Sequence, residues 1–322
     1  MSFFQKLFQH VTDDKGYKGA SAETGYFGTV KADPNFNAQN DAEKLKKAIE
    51  TKDWILLKEG SLKTLRLLAD ELKKALKSHL EDVVLALLMT PSEYDAFEMR
   101  RAMKGLGTKE NVLSEILGTR TNKEITALKN SFKEVYRETL EEDIKHDVSG
   151  NLENVLLSLC KATRSEDRKI DDGLAKSDAK ALFEAGKNRI GTVCSVLIDI
   201  LTNRSEAQLC KIFQYYGQFS KDGLAKDLQS ELSGDFEDCM MTLVKVAWNK
   251  PAYFAEKLQH AMKGLGTDDN TLIRIIVSRS EIDLLKIMQE YKRMYGKTLQ
   301  EAIQNETKGD YEKILLVLCG SP

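Results

Sequence analysis

The stretch Met103-Lys104-Gly105-Leu106-Gly107-Thr108 recurs unchanged as Met262-Lys263-Gly264-Leu265-Gly266-Thr267. A looser copy, Gly186-Lys187-Asn188-Arg189-Ile190-Gly191-Thr192, lies between them. The glycines of the three Gly-Thr pairs stand at 107, 191 and 266, and a second glycine follows each by 43 residues, at 150, 234 and 309. An arginine follows each by 13 residues, at Arg120, Arg204 and Arg279. Equal offsets at three marks identify an internal repeat rather than a chance motif. A fourth copy precedes these: Lys47-Ala48-Ile49 resembles Arg101-Ala102-Met103, and residues 75–82 resemble the Ser149-Gly150 region. Between those marks it is about 18 residues short, and the Gly-Leu-Gly-Thr loop is missing. The chain therefore reads as an N-terminal segment (1–29), a shortened repeat 1 (30–90), repeat 2 (91–164), repeat 3 (165–249) and repeat 4 (250–322).

Each full repeat reads as five helices. In repeat 2, Ser92 after Pro91 caps a first helix that ends near Met103. Thr108 opens a second, with Val112, Leu113, Ile116 and Leu117 on one face. Thr121…Glu124 and Thr139…Glu142 are capping boxes for a third and fourth, and Val155–Cys160 is a buried fifth. Ser205…Gln208, Ser280…Asp283 and Thr298…Glu301 are the equivalents further on. Neighbouring repeats must bury each other's apolar faces, which predicts one compact all-α array.

Composition narrows the function. Lys and Arg total 48 against 50 Asp and Glu, so the net charge is −2, which excludes a bulk nucleic-acid binder. No stretch approaches 18 apolar residues, and the apolar run in MSFFQKLFQHVTDDKG is too broken for a signal-peptide core. A cytoplasmic protein is expected. The five cysteines are odd in number, and four sit in apolar helical runs, so they read as buried reduced thiols. No G-x-S-x-G elbow, P-loop or metal-type histidine spacing is present, so no enzyme is expected. The three recurrent arginines read as structural groups that bond loop carbonyls.

The glycine loops carry the chemistry. Glycine lets main-chain carbonyls turn outward and approach an ion. A hard cation such as Ca2+ takes six to eight oxygens. Forty residues beyond the Gly-Thr glycines stand Asp147, Glu231 and Glu306, an acid in every copy. Three sites follow: Met103, Gly105 and Gly107 with Asp147; Gly186, Arg189 and Gly191 with Glu231; Met262, Gly264 and Gly266 with Glu306. One carboxylate per site gives weak affinity, roughly 10⁻⁴ M or poorer, with positions left for an anionic phosphate. Metal and phosphate then strengthen each other, and several sites on one face add through effective concentration. Lys104 and Lys263 favour anionic head groups. The predicted activity is calcium-dependent, peripheral and reversible binding to anionic phospholipid, with membrane bridging as an extension. A helical-repeat protein scaffold that ignores calcium is the alternative, and it needs no acid at this offset.

These residues resemble the annexin family, its lipocortin-like branch most closely, over about residues 30–322. The resemblance implies a curved all-α disc with calcium sites on the convex face. It implies that the Met and Gly carbonyls and the downstream acids are the ligands. It also implies a minor site at Lys73, Leu76 and Glu81 in repeat 1, and an accessory site at Thr108 with Glu110, with a counterpart at Thr267 and Asp269. Phe4, Leu7, Phe8 and Val11 fall at helical spacing near the N-terminus. The resemblance implies a small EF-hand dimer as a partner for that helix.

Overall fold

The computed structural model describes residues 27–30, 76–105, 107–187, 192–264 and 266–320. The expected N-terminal helix with its EF-hand partner, most of repeat 1, and Lys73, Arg189 and Gly191 lie outside them. The described residues form fifteen α-helices and no strand. A short α1 (Ser78–Leu87) belongs to repeat 1. Repeat 2 contributes α2 (Pro91–Met103), α3 (Glu110–Thr119), α4 (Asn122–Tyr136), α5 (Leu140–Asp147) and α6 (Gly150–Cys160). Repeat 3 contributes α7 (Asp172–Lys187), α8 (Thr192–Asn203), α9 (Glu206–Tyr216), α10 (Leu224–Glu231) and the start of α11 (Gly234–Ala261). Repeat 4 takes the rest of α11, then α12 (Asp269–Arg279), α13 (Leu284–Tyr295), α14 (Leu299–Glu306) and α15 (Gly309–Leu318). Asn249 is extended (φ −159°, ψ 90°) and splits α11, because Pro251 lacks the N–H and crowds the turn before it.

Two compact units are present: residues 95–250, and residues 251–320 with 27–30 and 76–94. The core of the first includes Leu113, Ile116, Phe132, Ile144, Leu156, Leu209 and Val244, all fully or almost fully buried. Each such side chain contributes about 1.5–3 kcal/mol of burial. Helix approach is close enough that a Cβ on Gly118 would lie 3.2 Å from Leu243 Cδ2, so α3 and α11 meet across a glycine. The second unit centres on Leu272, Ile275, Ile276, Leu284, Ile287, Tyr291 and Leu315. Within it, the N–H groups of Thr29 and Val30 both donate to the Ser280 carbonyl, and the Thr29 hydroxyl donates to Leu318 O.

The local starts follow capping chemistry. Thr121–Glu124, Thr139–Glu142 and Thr298–Glu301 are reciprocal boxes, and the Ser205 hydroxyl accepts from Gln208 N. Three expectations need correction. The cap of α2 is Thr90, not Ser92: Glu93 N donates to Thr90 Oγ1 (3.3 Å) and Thr90 N donates to Glu93 Oε2 (2.9 Å), with Pro91 at the first helical position. Helix α3 begins at Glu110 rather than at Thr108, since Lys109 N first closes the preceding loop onto Ala102 O (2.9 Å). Ser280…Asp283 is no box: the Ser280 hydroxyl donates to Val277 O, and Asp283 is held by Arg279. Thr139→Ala should cost about 1 kcal/mol, read as a lowered urea midpoint with unchanged slope.

The recurrent arginines bind carboxylates rather than loop carbonyls. Arg120 Nε and Nη2 donate to Asp95 at 2.8 and 2.7 Å, and Arg204 holds Asp178 at 2.7 and 3.1 Å. In repeat 4, Phe254 stands where that acid would be. Arg279 stacks over its ring, 4.9 Å from the centroid, and turns to Asp283 at 2.7 Å. The cysteines are all free; Cys160, Cys239 and Cys319 are buried, but Cys194 and Cys210 are only half-buried. Burial pushes the three buried thiols up to about 12, which keeps them un-ionised and inert.

Candidate metal centres

The two identical loops are built alike. Met103 and Met262 bury their side chains, so each anchors its loop in the core and presents only its main chain. Beyond them Gly105, Gly107, Gly264 and Gly266 are exposed, with φ of +118°, +87°, +119° and +92°. A Cβ at any of the four would meet nothing within 4 Å, so the loop demands glycine for its backbone angles and not for space. Lys109 N to Ala102 O (2.9 Å) and Asp268 N to Ala261 O (2.8 Å) close the two loops at the same register. Among the described residues, no backbone N–H donates to the carbonyls of these four glycines. Such a set of neutral oxygens suits a hard cation.

The acids sit at a position that helices disfavour. Helices α5, α10 and α14 are each eight residues long, and their last residues are Asp147, Glu231 and Glu306. A carboxylate there faces the negative end of the helix dipole. The same local rule is broken at the same place in three repeats, and such breaks gather at functional sites. The Asp147 side chain is one-fifth exposed, and His146 Nδ1 lies 2.7 Å from its Oδ1. That hydrogen bond and the carboxylate charge raise the His146 pKa. Glu231 and Glu306 are exposed.

Arg100 links the two helices that carry the candidate ligands of repeat 2. Its guanidinium pairs with Asp143, so α2 and α5 touch one turn short of Met103 and one turn short of Asp147. Asp147, Glu231 and Glu110 also open onto a single cleft of about 500 Å³, with Asn151, Cys194 and Phe236 among its walls. In the sequence these acids belong to separate sites, because the packing of repeat 2 on repeat 3 has no linear signature. Among the described residues, no three His, Cys, Asp or Glu side chains gather as a metal-holding group. The candidate centres draw on main-chain oxygens instead.

The remaining candidates scatter. Gly186 lies in the last turn of α7, and its loop partners Arg189 and Gly191 are outside the described residues. Thr108 is half-buried two residues ahead of Glu110, which starts α3. Leu76 is buried, and Glu81 lies in the first turn of α1. Asp269 is already engaged: Tyr311 OH donates to its Oδ1 (2.8 Å), and His79 Nε2 lies 3.2 Å from Oδ2.

A family model described as Annexin matches residues 94–159, 177–243 and 253–318, the three stretches that carry a Gly-Thr loop. The chain belongs to the annexin family. Annexin A1 of Bos taurus is 48% identical over 97% of this chain and 94% of its own length. The solved structure of annexin III superposes with a TM-score of 0.87 at 41% identity, covering 92% of this chain and 98% of that one. A calcium-bound annexin (Sm)1 superposes with a TM-score of 0.80 at 30% identity, covering 92% and 93%. The all-α repeat architecture of this annexin is thus that of its solved relatives. Among its described residues, no helix is long and apolar enough to cross a membrane.

Proposed function

We propose that this annexin chain binds anionic phospholipid surfaces, peripherally and reversibly, when calcium fills its loop centres. The observation that carries the reading is the pair of identical exposed loops, each with two positive-φ glycines, matched to a helix that ends on an acid. Met103, Gly105 and Gly107 would hold the ion with Asp147, and Met262, Gly264 and Gly266 would do so with Glu306. Gly186, Arg189 and Gly191 with Glu231 form the third set. Bound calcium supplies positive charge with coordination positions left over for a lipid phosphate. The chain carries several such centres in one molecule, so their weak contacts add into a firmer attachment. Exposed Lys104 and Lys263 add attraction for anionic head groups. A relative solved in a calcium-bound state supports the choice of ion.

The test is co-sedimentation with phosphatidylserine vesicles. The chain should pellet with vesicles in millimolar calcium and stay in the supernatant with chelator. Pelleting that is equal in both conditions would favour the calcium-blind scaffold reading.

A further inference from the structure

We infer that Arg100 is a positioning residue for the repeat 2 centre, and that it holds the loop and the acid in register before a cation arrives. The inference rests on the calcium reading above. Arg100 stands three residues before Met103 on α2, and Asp143 stands four residues before Asp147 on α5. Three or four residues are one helical turn, about 5 Å of rise. The Arg100–Asp143 pair therefore braces the two ligand-bearing helix ends directly beneath the centre. The guanidinium also donates to Glu138 Oε2 at 2.9 Å and lies over the Tyr136 ring, 5.4 Å from its centroid. The Asp143 side chain is only 13% exposed, so this is a partly desolvated, charge-assisted contact rather than a loose surface pair.

The other repeats solve the same position differently. In repeat 3 the spacing puts Asp227 where Asp143 stands, and its Oδ2 accepts from Tyr216 OH at 2.8 Å. That contact joins α9 to α10 and leaves out the loop-bearing α7. In repeat 4 the same spacing gives Gln259 for Arg100 and Ala302 for Asp143. Gln259 Oε1 accepts from Tyr291 OH at 2.6 Å, which joins α11 to α13 and leaves out the acid-bearing α14. Among these equivalent contacts, repeat 2 alone ties the loop helix to the acid helix. The repeat 2 centre is therefore braced at this position, whereas the repeat 4 centre, whose loop has the same backbone, lacks the brace there. Groups that orient metal ligands from behind typically change affinity by 10–100-fold when removed.

Calcium titration calorimetry on single-centre chains tests this. Glu231→Gln with Glu306→Gln leaves the repeat 2 centre, and Asp147→Asn with Glu231→Gln leaves the repeat 4 centre. Adding Arg100→Met to the first should weaken calcium binding about tenfold. Asp143→Asn, which keeps the shape of the side chain, should do nearly the same, and Arg100→Lys should restore part of the loss. In the second background Arg100→Met should leave affinity unchanged. Equal weakening in both backgrounds would show a general structural role and overturn the inference, as would no change in the first. A first-background chain that binds no calcium before Arg100 is touched would instead sink the calcium reading, and the inference with it.

Discussion

Replacing Asp147, Glu231 and Glu306 together by Ala should abolish calcium-dependent pelleting with phosphatidylserine vesicles while leaving helicity intact. Each centre, as read, has one charged ligand, and the rest of its shell is neutral main-chain oxygen. Without that ligand, the neutral carbonyls must compete with water for a dication alone, and affinity that starts near 10⁻⁴ M falls out of the useful range. The fold should not suffer. None of the three side chains is buried. All three close helices at the end where the dipole disfavours an acid, so their removal is neutral or slightly favourable to stability. Surface changes of this kind usually stay within about 0.5 kcal/mol. The readout is the pelleted fraction against free calcium, with circular dichroism as control. Undiminished pelleting of the triple variant would end the site assignment.

Asp95→Ala should damage the fold of repeat 2 severely, at about 3–5 kcal/mol. The Arg120 side chain is 4% exposed and that of Asp95 is 7%. Removing the acid leaves a buried guanidinium with its two strongest bonds unmade. The loss should appear as a lowered urea midpoint, and replacing Asp95 and Arg120 together by Leu and Met should recover much of it, since the unpaired charge is then gone. Asp178→Ala should cost less, because the Arg204 side chain is 26% exposed and water can take over. A larger loss from Asp178→Ala than from Asp95→Ala would contradict this ordering.

Much of the fold was legible because its signals are local. Boxes such as Thr121 with Glu124 span three residues, and the glycine marks keep their offsets whatever surrounds them. The sequence misleads where a local signal has a rival or a distant partner. Thr90-Pro91-Ser92-Glu93 contains two capping candidates, and the box with Pro at the first helical position decides for Thr90. Asp283 looked like part of a cap, but the loss of an acid at position 254 hands it to Arg279. The partners Asp95 and Asp178 lie 25 and 26 residues before their arginines, a separation that no local signal marks. For the candidate centres, the residues were nameable in advance. The shared cleft and the Arg100 brace were not, because they depend on which helices touch.

Three short helices that stop on the wrong charge leave this molecule with built-in frustration wherever no cation is present. On the proposed reading, an ion that relieves it binds the native state and has nothing comparable to grip in the unfolded chain. Resistance to heat then becomes a gauge of free calcium, and the melting temperature should climb with the concentration of that ion even when no lipid is in the tube.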